Sequence, residues 1–120
     1  MYKVQSQPWP TIIRFYRSFA ETPRNSWLRP MLEFVEQIGA ADFGQRLYGS
    51  TSHMTLCISY LPEFEPSKEV LNVDLDHKDG RFRFEYWETA SPLYKRWKKE
   101  CPPDQAFPTL LRFLEMKNWP

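Results

Sequence analysis

The chain has 120 residues, 42% hydrophobic and 17% aromatic, which supplies one buried core and leaves too little for two; a single domain over 1–120 is expected. Sixteen Lys and Arg stand against fifteen Asp and Glu, a formal net charge of +1, so no global field draws the chain to nucleic acid or an acidic membrane. With 26% charged residues beside this much apolar material, disorder is excluded, and any electrostatic recognition must be local.

No apolar run near the N-terminus could serve as a signal-peptide core, and no segment approaches the length of a membrane span. The expectation is a cytoplasmic protein with no membrane contact. Two cysteines, Cys57 and Cys101, lie far apart and outside any zinc or redox spacing. They read as packing thiols, with a disulfide as the alternative.

Residues 11–20 place Ile12, Phe15, Tyr16 and Phe19 at helical spacing, with Arg14 and Arg17 off that stripe. The β-branched and aromatic content would also suit a strand; the spacing favours helix. From Ser26 onward, Trp27, Leu28, Met31, Leu32, Phe34, Val35 and Ile38 repeat at three and four, Pro30 falls in the first turn, and Gly39 follows as a stop. Arg46, Leu47 and Tyr48 suggest a short strand, with Gly49 and Ser50 turning it into the next. That next strand, 53–60, alternates Met54, Leu56, Ile58 and Tyr60 against His53, Thr55, Cys57 and Ser59. A proline-bounded loop around Phe64 leads into residues 71–88.

Residues 71–88 describe a β-hairpin around Asp79 and Gly80. A two-residue loop would set Asp74 opposite Glu85, an unfavourable like-charge pair. A loop of His77, Lys78, Asp79 and Gly80 instead pairs Asp76 with Arg81, Asp74 with Arg83 and Asn72 with Glu85, while Leu75 meets Phe82 and Val73 meets Phe84. Residues 90–103 read as irregular. The last element, 104–117, is a helix with Ala106, Leu110, Phe113 and Leu114 on one side, and Pro103 and Pro108 near its start. The fold class expected is α+β: an antiparallel meander of three or four strands, with helices packed on one face in two layers.

Asp74, Asp76, Asp79 and Gly80 suggest a calcium loop, but Lys78 stands where the third ligand belongs and Gly80 comes one residue late. No metal site and no cofactor is expected. His53 is where a small enzyme would begin, with Asp74 and Arg83 drawn in from elsewhere. At a rise of ~3.3 Å per residue, however, strand residues four apart are separated by ~13 Å, so His53 and Cys57 cannot pair within one strand. No catalytic residue is assigned. His77 reads as a solvated loop residue. Lys95, Arg96, Trp97, Lys98 and Lys99 combine positive charge with an aromatic, as single-stranded nucleic-acid surfaces do; Glu100 follows directly, and a solvated charge run is the simpler account.

Alternation places Trp87 on the outer sheet face with Arg81, Arg83 and Glu85, a large aromatic within a charged rim. The alternative is an internal cluster in which Leu93, Tyr94 or Trp97 folds over it. The expected partner-binding surface is Trp87 with Arg81, Arg83, Asp74 and Asp76. The pattern of helix, antiparallel strands, an aromatic strand Phe82, Phe84, Tyr86, Trp87, a basic stretch, and the ending from Leu110 to Trp119 resembles small bacterial domains of unassigned function, including immunity proteins of polymorphic toxin systems. The likeness spans about 43–120 and rests on texture rather than an invariant motif, so it transfers no residue roles. It implies a non-enzymatic cytoplasmic protein that binds and occludes a cognate toxin. Many such proteins are markedly acidic, whereas this chain is nearly neutral. The functional expectation is a protein-binding module; the alternatives are a small enzyme around His53 and a nucleic-acid binder through Lys95 to Lys99. Nothing in the chain specifies an oligomeric state.

Overall fold

The computed structural model describes residues 4–64, 70–88 and 95–119. In chain order the elements are β1 (Val4–Gln5), α1 (Trp9–Ala20), α2 (Arg29–Ala40), β2 (Tyr48–Ser52), β3 (Thr55–Ser59), β4 (Glu63–Phe64), β5 (Leu71–Leu75), β6 (Phe82–Glu88), β7 (Lys95–Cys101) and α3 (Ala106–Lys117), with short 3-10 turns ahead of α2, β2 and α3. Five strands form an antiparallel meander ordered β2-β3-β5-β6-β7, and β1 pairs separately with β4. The architecture is α+β, as expected, but with five strands in the main sheet rather than three or four.

The additional strand is β7, in a stretch that reads as irregular. Its charges conceal the alternation: Trp97 turns toward α3, its ring 5.0 Å from Phe113, while Lys98 and Glu100 turn away toward Glu85 and Arg83. A lysine-rich strand is what an exposed sheet edge requires to resist pairing with another chain. The opposite edge is handled differently. There Gln7 pairs with Gly49 of β2, its N–H donating to the Gly49 carbonyl at 2.8 Å.

All three helices pack on one face of the sheet. Trp9, Ile12, Tyr16 and Ala20 of α1 are buried at helical spacing, which settles residues 11–20 as helix. In α2, Met31, Leu32, Phe34, Val35 and Ile38 are buried, with Pro30 in the first turn and the helix running past Gly39 to Ala40. Beneath them Leu56, Ile58, Leu71, Val73, Leu75, Phe82, Phe84 and Tyr86 are buried along the strands. Phe34 meets Phe82 and Phe84 edge-on at 5.4 and 5.9 Å, the geometry aromatic quadrupoles prefer. On α3, Ala106, Leu110, Phe113 and Leu114 face the core as expected. The helix ends with Asn118 at φ 56°, and the Trp119 N–H returns to the Leu114 carbonyl at 2.9 Å, a left-handed cap that seats Trp119 against Phe113 and Tyr86.

The first hairpin turns later than expected. Gly49 and Ser50 lie inside β2, and the reversal falls on His53 and Met54, with Ser52 paired to Thr55. Gly49 is required by packing. A Cβ there would sit 2.8 Å from both Ile12 Cδ1 and Trp9 Cη2, so its missing side chain lets α1 settle on the sheet. Trp9 is anchored by its ring N–H, which donates to the Gly44 and Leu47 carbonyls at 3.1 and 3.2 Å.

The second hairpin has the register that charge predicts: Asn72 opposite Glu85, Val73 opposite Phe84, Asp74 opposite Arg83 and Leu75 opposite Phe82. The Asp76 N–H donates to the Arg81 carbonyl at 3.0 Å, closing a loop over His77, Lys78, Asp79 and Gly80. Cys57 and Cys101 are buried free thiols. Among the described residues no helix is long and apolar enough to cross a membrane.

Candidate functional site on the outer sheet face

Because side chains alternate along each strand, the antiparallel register lays the outer residues in rows across the sheet. One row runs Cys57, Asn72, Glu85, Lys98, and the next brings Asp74, Arg83 and Glu100 side by side. Within each row opposite charges alternate. The thiol of Cys57 donates to Asn72 Oδ1 at 3.3 Å, Lys98 Nζ lies 4.0 Å from Glu85, and the Thr55 hydroxyl donates to Asp74.

Arg83 is the hub of this face. Its guanidinium pairs with Asp76, reaches Asp79 Oδ2 at 2.7 Å, and places Nε 3.4 Å from Glu100. The register holds at the backbone, but the carboxylates take other side-chain partners than the residues opposite them. Asp74 sits opposite Arg83 along the backbone, yet its carboxylate accepts from Thr55 and is exposed. Asp76 meets Arg81 through its backbone N–H, but its carboxylate pairs with Arg83. A long arginine leans along its strand and reaches diagonally to the loop carboxylates. Arg81 contributes through its backbone, its N–H donating to Asp79 Oδ1 at 2.9 Å.

Asp76 has a second duty. Its Oδ1 accepts the N–H groups of Lys78 at 2.6 Å and Asp79 at 3.2 Å, an Asx turn that rigidifies the loop. Those backbone hydrogen bonds, and then Arg83, hold its carboxyl below the ordinary carboxylate range. The hydrogen bond to Asp76, and then the one to Asp79, raise Arg83 in turn. Both groups are locked in their charged forms, so neither can exchange a proton near neutral pH.

His53, around which a small enzyme would be built, has no side-chain hydrogen bond or ion pair to Asp74 or Arg83 among the described residues. His53 is exposed in the turn at φ 56°. Cys57 lies within β3, and burial, followed by the nearby Asp74 charge, pushes its thiol up to about 11. It is protonated at neutral pH and a poor nucleophile. Among the described residues no group of three or more His, Cys, Asp or Glu side chains could hold a metal ion. His77, read as a solvated loop residue, is exposed but stacks on Trp27 with ring centroids 4.8 Å apart.

The basic stretch is divided by its strand. Trp97 is half-buried against Phe113 on the helix side, whereas Lys98 pairs with Glu85 on the outer side. The stacking ring and that cation do not share a surface. Position 87 pairs with Arg96 at the far end of β6; the side chains of Trp87, Lys95 and Arg96, together with Leu93 and Tyr94, lie outside the described residues. Trp97, one candidate to cover Trp87, contacts Phe113. Sequence reasoning left Glu100, Asn72 and Thr55 out of the expected binding surface. The signal for Glu100 was its alternation with Trp97 and Cys101, legible only once that stretch is read as a strand.

The described outer face is thus a polar surface of prearranged hydrogen bonds and ion pairs. Comparison with family models, with curated proteins and with solved structures finds no match, and the geometry carries the functional reading.

Proposed function

We propose that this chain is a non-enzymatic protein-binding module that docks a partner on the outer face of its sheet. The observation that supports this reading is the anchoring of Arg83 by Asp76, Asp79 and Glu100. A surface whose charged side chains are already fixed loses less conformational entropy on association, and alternating charges enforce register on the partner. Trp87, at the end of β6, supplies the aromatic anchor. In its specific form, which rests on the sequence resemblance, the module is an immunity protein that occludes a cognate toxin.

The test is co-expression with the product of the adjacent upstream gene, followed by gel filtration and calorimetry. A stable complex is expected, weakened at least about tenfold by Trp87→Ala combined with Lys98→Glu, with the melting temperature held within a few degrees. No complex with that product would remove the immunity reading. A complex indifferent to both substitutions would remove the outer face as the docking surface.

A further inference from the structure

The helix layer carries a second recognition feature, independent of the outer sheet face. Between α2 and the start of α3 lies a groove of about 830 Å³, within the size range of binding clefts. Its apolar lining includes Pro30, Phe107 and Pro108, and its polar lining includes Glu33, Glu36 and Asp104. Phe107 stacks with Phe43, ring centroids 5.8 Å apart. No lysine or arginine is among the lining residues, although the chain as a whole is balanced at +1. Glu36 is already paired with Arg17 at 3.0 Å. Glu33 and Asp104 are exposed and have no ion-pair partner among the described residues.

These features select an occupant. Carboxylates on the groove disfavour phosphate and nucleic acid. A bare metal ion does not fit, because the carboxylates fail to converge on one point. A cation on an apolar stem matches both surfaces: its methylenes lie on the ring and the prolines while its charge reaches the carboxylates. We propose that this groove binds a peptide segment of a partner protein that presents an arginine or lysine flanked by apolar residues, the stem lying on Phe107 and the charge meeting Glu33 and Asp104.

The probe is a pool of fluorescein-labelled nonapeptides with arginine fixed at the centre and Leu, Phe, Pro or Gly elsewhere, against a matched pool with central glutamate. Anisotropy titration of the full chain should saturate for the arginine pool and not for the glutamate pool, with binding falling as salt rises. Amide resonances of Gln37 and Ala40 should shift on titration. The double charge reversal Glu33→Lys, Asp104→Lys should weaken arginine-pool binding at least about tenfold and favour the glutamate pool, and Phe107→Ala should weaken it without changing the preference. If the reversed variant fails to fold, Glu33→Gln with Asp104→Asn should show the same loss of arginine binding. Absence of saturable binding, equal binding of both pools, or binding undiminished by these changes would overturn the proposal. Sedimentation showing that a second copy of the chain fills the groove would overturn it too. None of these results bears on the outer sheet face, whose partner is tested separately.

Discussion

Between β2 and β3 the chain reverses on two residues, with His53 held at φ 56°; between β5 and β6 it reverses on four, with Gly80 at φ 70° and Asp76 gathering the N–H groups of Lys78 and Asp79. The second turn contains its own instructions: an Asx cap and a glycine where left-handed backbone is needed. The first places a residue with a side chain in that conformation and sets its glycine, Gly49, four residues upstream under Trp9 and Ile12. One reversal is specified by turn chemistry. The other is imposed by strand pairing and by a helix pressing on the strand.

Both hairpins share one core, so the largest expected effect tests that common support. Phe84→Ala should destabilise the domain by about 3 to 5 kcal/mol, while its outward neighbour Glu85→Ala should cost less than about 1 kcal/mol in denaturant melts. Equal losses would mean that the sheet is faced the wrong way. Next comes the packing glycine. Gly49→Val should cost about 1 to 3 kcal/mol through overpacking against Trp9 and Ile12, and a loss below that of Gly80→Ala, expected at about 1 kcal/mol from its positive φ, would reverse the contrast between the hairpins.

The strained turn should respond with the opposite sign. His53→Gly relieves left-handed strain at the cost of added freedom in the unfolded chain, for a net gain of about 0.5 to 1 kcal/mol. A loss of stability on thermal melting would show that His53 makes contacts that compensate its backbone. The subtlest test concerns pH. Asp76 is lowered from the ordinary 3.8 by the Lys78 and Asp79 N–H groups and Arg83; a carboxyl lowered by folding stabilises the protein above its unfolded value, and that contribution is lost as pH falls through the folded value. Wild type should therefore melt above Asp76→Asn at neutral pH, with the gap closing below about pH 4. A gap unchanged at pH 2 would place the benefit outside the carboxylate.

The same contrast explains what could be read in advance. Asp79-Gly80 and the charges flanking it made the facing and register of β5 and β6 legible, because only one loop length avoids setting Asp74 against Glu85. Three-four spacing likewise revealed the helices. The turn at His53 carries no glycine, asparagine or proline signal, and Gly49 supplied a false one, since a glycine that admits a tryptophan ring looks in one dimension like a glycine that bends the chain. β7 was hidden by lysines that protect an edge. Its absence from the sequence reading removed Glu100 from the site, while the diagonal reach of Arg83 to Asp76 and Asp79 lies beyond what register alone shows.

The two buried thiols occupy different places in the sheet, and that placement gives the molecule two clocks. Among the described strands β7, which carries Cys101, has a neighbour only in β6; Cys57 lies on β3, held between β2 and β5. Strands at an edge open with less free energy than strands in the interior. A thiol reagent should therefore reach Cys101, which faces the core beside Phe82, through local fraying, while Cys57, on the outer face, needs no strand to separate and is slowed instead by its raised pKa and its hydrogen bond to Asn72. Timing the two modifications on one chain would separate peeling of its edge from the intrinsic reactivity of a thiol on the intact sheet.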